Sequence, residues 1–275
     1  MAKLPIDQRL KVEKQIEDKF VIQNFRAYLG ISQIAKPCPR ELWYSFRWCA
    51  QTKITARVNR LFQRGHREEA IIQADLREIG IKHHSDQKEV VDGNGHIKGH
   101  IDDILENVPD APKTPHLGEY KTHNDKSFKS LKSKGLIKSK PMHYGQMICY
   151  MHKLKLKRGL YIAVNKNDDA RYYERISENK TKAIEYFQRG FDIISTEIPP
   201  KKINTSPTWY ECKFCDYQNI CHFNEKPLKN CRTCQFADIC DDGVWECSHY
   251  KNKISTKVQR ISIGCPSYKL LETLR

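Results

Sequence analysis

Two short polar motifs interrupt runs that otherwise read as β-strand. Gly99-His100-Ile101-Asp102 is followed, 17 positions after the aspartate, by Glu119-Tyr120-Lys121. A sheet needs apolar side chains on its packed faces, so two carboxylates and a lysine are poor core material. They are well suited to holding a divalent cation beside an ammonium. On a strand, Glu119 and Lys121 point to one face, because side chains alternate with period two. A neighbouring strand lies about 4.8 Å away, which brings a second carboxylate within reach of the same ion. Alternation leaves open which carboxylate that is. His100 and Ile104 share a face with Asp102, and Ile101 and Leu105 share one with Asp103. A solvated sheet edge also carries Glu-x-Lys; the second carboxylate is what favours a metal site.

Residues 56–79 carry the clearest helical period. Val58, Phe62, Ile72, Leu76 and Ile79 fall on one stripe, and Gly80 suits the C′ position. Gly65 and Glu69 lie on the same stripe. A carboxylate facing a core is costly unless it is paired or ligates a metal, so Glu69 is the candidate third ligand. His66, one turn earlier, is held in reserve. Residues 5–28 read as a charged helix with Leu10, Ile16, Phe20 and Phe25 as its apolar positions, and Arg40–Trp48 as a short helix after Pro37 and Pro39. Glu89–Val91 and Ile97–Leu105 read as strands joined at Asp92-Gly93-Asn94-Gly95. Residues 116–121, 159–165 and 170–176 read as further strands, and 142–154 and 178–195 as helices. On the first of these helices His143, Gln146 and Tyr150 align at i, i+3 and i+7. Core packing accounts for Tyr150 and poorly for Gln146.

The formal net charge is +15, which favours a polyanionic partner. Residues 121–158 hold eleven Lys and Arg against one acid, Asp125, and so carry +10 of that charge. Phe128, Tyr144 and Tyr150 are interleaved with them, a composition that favours phosphate contact over a merely solvated surface. The first residues lack the apolar segment of a secretory signal, and no apolar run approaches the ~20 residues of a membrane helix. The expected location is the cytoplasm, with no membrane partner. The eleven cysteines are then metal ligands rather than disulfides.

Cys212-x2-Cys215-x5-Cys221 is repeated as Cys231-x2-Cys234-x5-Cys240. Three thiolates at such spacings hold a metal, zinc by default, and each triplet needs a fourth ligand. Pro199-Pro200, followed by two lysines, marks a boundary. The expected organisation is a helical segment over 1–50, a core over 51–198 and two metal-stapled segments over 199–228 and 229–275.

These motifs resemble the PD-(D/E)XK nuclease superfamily, in its RecB-like and phage-exonuclease branch. Gly65 to Glu69, Gly99 to Asp102, Glu119-Tyr120-Lys121-Thr122 and Gln146 to Tyr150 stand in that family's order, across about residues 50 to 195. The resemblance selects Asp102 over Asp103. It implies an α/β, restriction-endonuclease-like core, a mixed central β-sheet flanked by helices, with a Cys-rich metal-binding C-terminal appendage. It implies Glu69, Asp102 and Glu119 as ligands of Mg²⁺ or Mn²⁺, Lys121 as the residue that positions or activates water, and Gln146 and Tyr150 along the substrate path; His143, on the same helix face, is the further candidate for substrate binding. The activity implied is metal-dependent hydrolysis of DNA, as an exonuclease of phage or prophage type acting on free ends.

The iron–sulfur members of that branch, AddB and the CRISPR-adaptation exonucleases among them, implicate Cys38 as the fourth partner of Cys212, Cys215 and Cys221 around a [4Fe–4S] cluster. Cys49 competes for that position, and zinc is the alternative metal. Similarity to small phage zinc modules assigns Cys231, Cys234, Cys247 and Cys265, in Gly264-Cys265-Pro266-Ser267-Tyr268, to Zn²⁺. Cys240 is left over, with His249 a weaker ligand, and Cys149 reads as a buried thiol. A ribonuclease, or a non-catalytic nucleic-acid-binding protein with two metal modules, are the competing readings.

Overall fold

The computed structural model describes residues 6–20, 22–84, 87–261 and 265–274. Pro5 and Val21 of the expected helix over 5–28, and Gly264 beside Cys265, lie outside the described residues. The first half of the chain runs α1 (Ile6–Phe20), β1 (Ile22–Asn24), β2 (Leu29–Gly30), α2 (Pro39–Phe46), β3 (Thr52–Ile54), α3 (Ala56–Glu78), β4 (Lys82–His83), β5 (Glu89–Asp92), β6 (Ile97–His100), β7 (Asp103–Glu106) and β8 (His116–His123). Then come α4 (Asp125–Ser139), α5 (Pro141–Leu154), β9 (Arg158–Asn165), β10 (Arg171–Ser177) and α6 (Lys180–Ser195). The C-terminal part holds α7 (Tyr210–Lys213), α8 (Gln218–Phe223), β11 (Ala237–Ile239), β12 (Trp245–Cys247), β13 (Asn252–Ile254) and α9 (Thr256–Ile261).

The central sheet has the order β10-β9-β8-β7-β4. β8 and β9 are parallel, with Glu119 beside Tyr161 and Lys121 beside Ala163; the other pairs are antiparallel. A parallel pair needs a crossover, and α4 with α5 supplies it. The two faces of the sheet are both packed. Tyr120, Leu160, Ile162 and Val164 meet Ile72 and Leu76 of α3 on one side. Leu117, Tyr161 and Ala163 join the cluster of Met147, Tyr150 and Met151 of α5 on the other. This is the mixed sheet flanked by helices that the motifs imply.

Three sequence expectations change. The helix expected over 5–28 ends at Phe20, and Ile22–Asn24 is a strand paired with β3. The run over 97–105 is not one strand. β6 pairs with β2 and β5 in a separate three-stranded sheet, whereas β7 pairs with β8 and β4, and the chain changes sheets at Ile101-Asp102. The stripe on α3 is also divided: Ile72 and Leu76 are buried, while Phe62 and Ile79 are exposed. Thr55 caps this helix by accepting from Val58 N at 3.3 Å, and Gly80 adopts φ +81 just beyond its end, the left-handed turn that favours glycine.

The C-terminal segment shares its core with the start of the chain. Tyr217, Ala237, Trp245, Ile254 and Leu271 belong to the same buried cluster as Trp43, Tyr44 and Phe46 of α2. Asn230 Nδ2 donates to Trp48 O at 3.0 Å, and Arg232 reaches Phe46 O at 2.8 Å.

Candidate active site

On β8, Leu117, Glu119 and Lys121 share the face turned to α5, by strand alternation and by the register with β9. Asp102 comes from the bend between β6 and β7. Its Oδ2 accepts from Tyr120 N at 2.9 Å and from Lys121 Nζ at 3.3 Å. Lys121 Nζ also forms an ion pair with Glu119 Oε1. Glu69 faces the same group from α3, and its pKa is raised by burial and by the Asp102 carboxylate. His66 sits within 3.8 Å of Glu69 on the solvent side.

Asp103 is elsewhere. It is fully buried on β7, where its Oδ2 accepts from Tyr120 Oη at 3.2 Å and from Gln73 at 3.4 Å, and it pairs with His83. The two aspartates diverge because the chain bends between the sheets at Asp102, a break that strand alternation does not foresee.

The electrostatics of the cluster are unbalanced. Glu119 has no exposed surface, and its Oε2 has no hydrogen-bond partner. Burial first, and then the Asp102 charge, push its pKa up to about 8, against the opposing pull of Lys121. Burial alone would lower the Lys121 ammonium, but Glu119 and Asp102 outweigh it and hold its pKa above the ordinary value. With all three carboxylates ionised, as a bound cation would hold them, Glu69, Asp102 and Glu119 set three negative charges against one ammonium and leave two uncompensated. That is the charge of one divalent cation, and oxygen donors are the ligands such a cation takes. The donor set therefore fits Mg²⁺ or Mn²⁺. Among the described residues, however, no three His, Cys, Asp or Glu side chains close to coordinating distance.

A cleft of about 540 Å³ opens over the cluster, lined by Phe62, Glu69, Asp102, Lys121, His123, His143 and Lys166 among others. His123 and Lys166 went unnoticed as site residues in the sequence, although His123 continues the Glu119, Lys121 alternation by one more step. Tyr161 Oη bridges the two histidines, 2.9 Å from His123 Nε2 and 2.8 Å from His143 Nδ1. Burial, then neighbouring lysines, pull His123 down to about 4; burial, then Lys121, pulls His143 down to about 3. Both are neutral at neutral pH. Gln146 and Tyr150 are buried beneath the site and do not line the cleft. Tyr150 packs over Gly99, where an added Cβ would lie 2.3 Å from its hydroxyl, so the glycine of that motif makes room for the ring. Phe128 is likewise core, and the basic run presents lysines such as Lys126, Lys129 and Lys132 rather than stacking rings.

The sequence profile of the PD-(D/E)XK nuclease superfamily matches residues 31–222, more than half of the 275 residues. The chain belongs to the PD-(D/E)XK nuclease superfamily. Solved structures are matched at low similarity. An alkaline exonuclease from Laribacter hongkongensis, LHK-Exo, is 16% identical with a TM-score of 0.45, over 66% of this chain and 90% of its own. Its complex with dAMP gives 16% identity and a TM-score of 0.46, over 61% and 86%. The crystal structure of SSO0001 gives 14% and 0.41, over 79% and 96%. No curated protein is significantly similar in sequence.

The nuclease also gathers eight of its cysteines into two groups, and none of the eleven is in a disulfide. Cys38, Cys212, Cys215 and Cys221 line one small cavity together with Arg40 and Tyr44. Cys49 is not among them; it is buried apart, and its backbone carbonyl accepts from Leu228 N at 2.7 Å. Cys231, Cys234, Cys247 and Cys265 line a second cavity of about 380 Å³, with His249 and Tyr250. Cys240 lies outside it, its thiol directed to Val244 O at 3.3 Å. Burial pushes the Cys215 thiol up to about 12, so a thiolate there calls for a cation. Cys149 is a fully buried thiol on α5. No helix among the described residues is long and apolar enough to cross a membrane.

Proposed function

We propose that this nuclease is a metal-dependent deoxyribonuclease of the RecB-like, phage-exonuclease type, degrading DNA from free ends. The observation that carries the reading is Glu119: a buried carboxylate with an unpartnered Oε2, ion-paired to Lys121, which with Asp102 lines an open cleft. A carboxylate left so is costly in a purely structural role. Glu69, Asp102 and Glu119 would hold Mg²⁺ or Mn²⁺, which supplies Lewis-acid activation of water and neutralises charge on the phosphate. Lys121 stays charged between its two carboxylates and presents its ammonium to the attacking water and to the negative charge that grows at phosphorus. Neutral His143, with Nδ1 occupied by Tyr161, keeps Nε2 for a substrate oxygen. Gln146 and Tyr150 act from below, positioning the Gly99–Asp102 segment rather than touching the strand.

Cys38, Cys212, Cys215 and Cys221 fit a clasp that joins the two ends of the nuclease core, with a [4Fe–4S] cluster as the reading from resemblance. Zinc is the second reading, since thiolates at such spacings also hold that ion. Cys231, Cys234, Cys247 and Cys265 fit structural Zn²⁺. Metal analysis of anaerobic protein decides: iron with visible absorbance that Cys212→Ser abolishes supports the cluster, and zinc alone overturns it.

The catalytic reading is tested with end-labelled linear, circular and single-stranded DNA, and with RNA, in Mg²⁺ and in EDTA. Metal-dependent release of nucleotides from linear DNA, with closed circles spared, is the expected result. Binding without cleavage in either Mg²⁺ or Mn²⁺ returns the protein to the non-catalytic class, and cleavage of RNA alone makes it a ribonuclease.

A further inference from the structure

The cleft does not end at Phe62. This ring is 52% exposed on α3, and it lines both the cleft and a second cavity of about 380 Å³. Unlike Ile79, the other exposed apolar residue of this stripe, Phe62 borders two cavities at once. It has the placement of a stacking platform, since a planar ligand lying across both cavities passes this ring.

The second cavity differs from the cleft in chemistry. Arg26 and Lys36 stand against Glu41 and Asp216, and Lys36 is ion-paired with Glu41. Two cations against two anions leave no net charge, so the cavity is not built for phosphate. The phosphate-binding charge stays with the cleft: Lys140 and Lys166 act on His123 there, and neither lines the second cavity. The remaining lining combines aromatic walls with uncharged polar groups. Phe25 and Trp48 meet with centroids 5.1 Å apart at 48°, and Gln33 and Ser45 offer an amide and a hydroxyl. Flat apolar faces, neutral donors and acceptors, and a volume in the small-ligand range are what an unpaired nucleobase requires.

We propose that this cavity binds the base of one unpaired nucleotide of the strand being cut, stacked on Phe62 and read on its edge by Gln33, while the phosphates of that strand lie in the cleft. The inference rests on the nuclease reading, because that reading puts a polynucleotide in the adjoining cleft. It gives the chain a grip on unpaired strand that does not depend on charge. A duplex cannot enter without first freeing a base, so the cavity selects for frayed or single-stranded ends.

The test uses the full chain in EDTA with single-stranded oligonucleotides carrying 2-aminopurine at one position, scanned from each end. Stacking on an aromatic ring quenches this base. Quenching confined to one or two positions, lost in Phe62→Ala and restored in Phe62→Trp, is the expected result. Affinity should fall about tenfold in Phe62→Ala, the scale of one base–aromatic stack, and less in Gln33→Ala. The loss should persist at high salt, where phosphate contacts are screened. Wild type and Phe62→Ala that bind with equal affinity and equal fluorescence overturn the proposal, as does an oligonucleotide that does not bind at all. Cleavage in Mg²⁺ is read in parallel. Active protein indifferent to Phe62→Ala loses the base site and keeps the nuclease reading. Inactive wild type that still quenches through Phe62 keeps the base site and loses the catalytic reading.

Discussion

Where the N- and C-terminal segments interlock, Arg232 is buried with its guanidinium fully served. Nε donates to Gln259 at 2.7 Å, Nη1 to Phe46 O and Nη2 to Ala27 O, each at 2.8 Å, and the group lies 3.9 Å over the Trp48 ring. In the central sheet, Glu119 is just as buried, but it meets only the Lys121 ammonium on one oxygen and nothing on the other. The chain can therefore satisfy a buried charge when the charge is structural. Leaving one unsatisfied directly behind a residue that lines a cleft marks a group kept for something that arrives from outside. Low dielectric raises the stakes in both places: it strengthens the contacts of Arg232 and penalises the bare oxygen of Glu119.

Neutralising each charge should give opposite results. Glu119→Gln removes the penalised charge while keeping the shape. Turnover on linear DNA should fall by about a thousandfold or more, the scale of losing a key electrostatic group in a catalytic site. Stability in EDTA at pH 7 should instead rise by about 1–3 kcal/mol in urea melts, because the folded chain no longer holds a carboxylate whose pKa lies above its unfolded value. A variant that is both less stable and fully active would put Glu119 among the structural charges.

Arg232→Met reverses the pattern. It strips donors from Gln259, Phe46 O and Ala27 O, so stability should drop by about 3–5 kcal/mol. Activity per folded molecule should hold, since the guanidinium is engaged with the C-terminal interlock and does not line the cleft. Loss of turnover in protein that circular dichroism shows to be folded would mean that this junction reaches the active site.

The sequence made the cleft side of this comparison legible and the interlock side invisible. Glu69, Asp102, Glu119 and Lys121 stood out because charged residues broke apolar periods, and a broken period is a local signal. The choice of Asp102 over Asp103 was not local. It depends on a change of sheet at Ile101-Asp102, and each half of the run alternates correctly within its own strand. Phe62 was read as core from its period, but a helix stripe continues past the edge of the sheet that covers it. Helix α4 was hidden in a lysine-rich run with little amphipathic contrast, broken by Gly135 at φ +72. Arg232 has partners from residues 27 to 259, contacts that only the folded chain brings together. The cysteine groups lie between these extremes. Spacing exposed the triplets, resemblance attached Cys38, and the cavity lining separates Cys240 from Cys247 and Cys265.

The smallest expected effect concerns the histidines beside the cleft, a third way of carrying a buried titratable group. His123 is 8% exposed and faces Tyr161, Ser127, Lys121, Lys140 and Lys166. Burial and those lysines hold it near 4 when folded, against 6.5 for an ordinary histidine. Between these values the unfolded chain binds a proton that the folded chain refuses. Stability from this group is therefore complete above about pH 6.5 and declines as the pH falls toward 4, by a loss on the order of 1–3 kcal/mol. Glu119 pulls the other way, since protonating it relieves its penalty as the pH falls from about 8. The two are separated by subtraction. Urea midpoints of wild type and His123→Asn, measured in EDTA from pH 7 to pH 4.5, should converge toward acid, because the asparagine has no proton to gain. Parallel curves would show that folding leaves the proton affinity of His123 unchanged. The cleft would then gain a cation as the pH falls through the ordinary histidine range, and the charge facing a divalent metal would depend on pH.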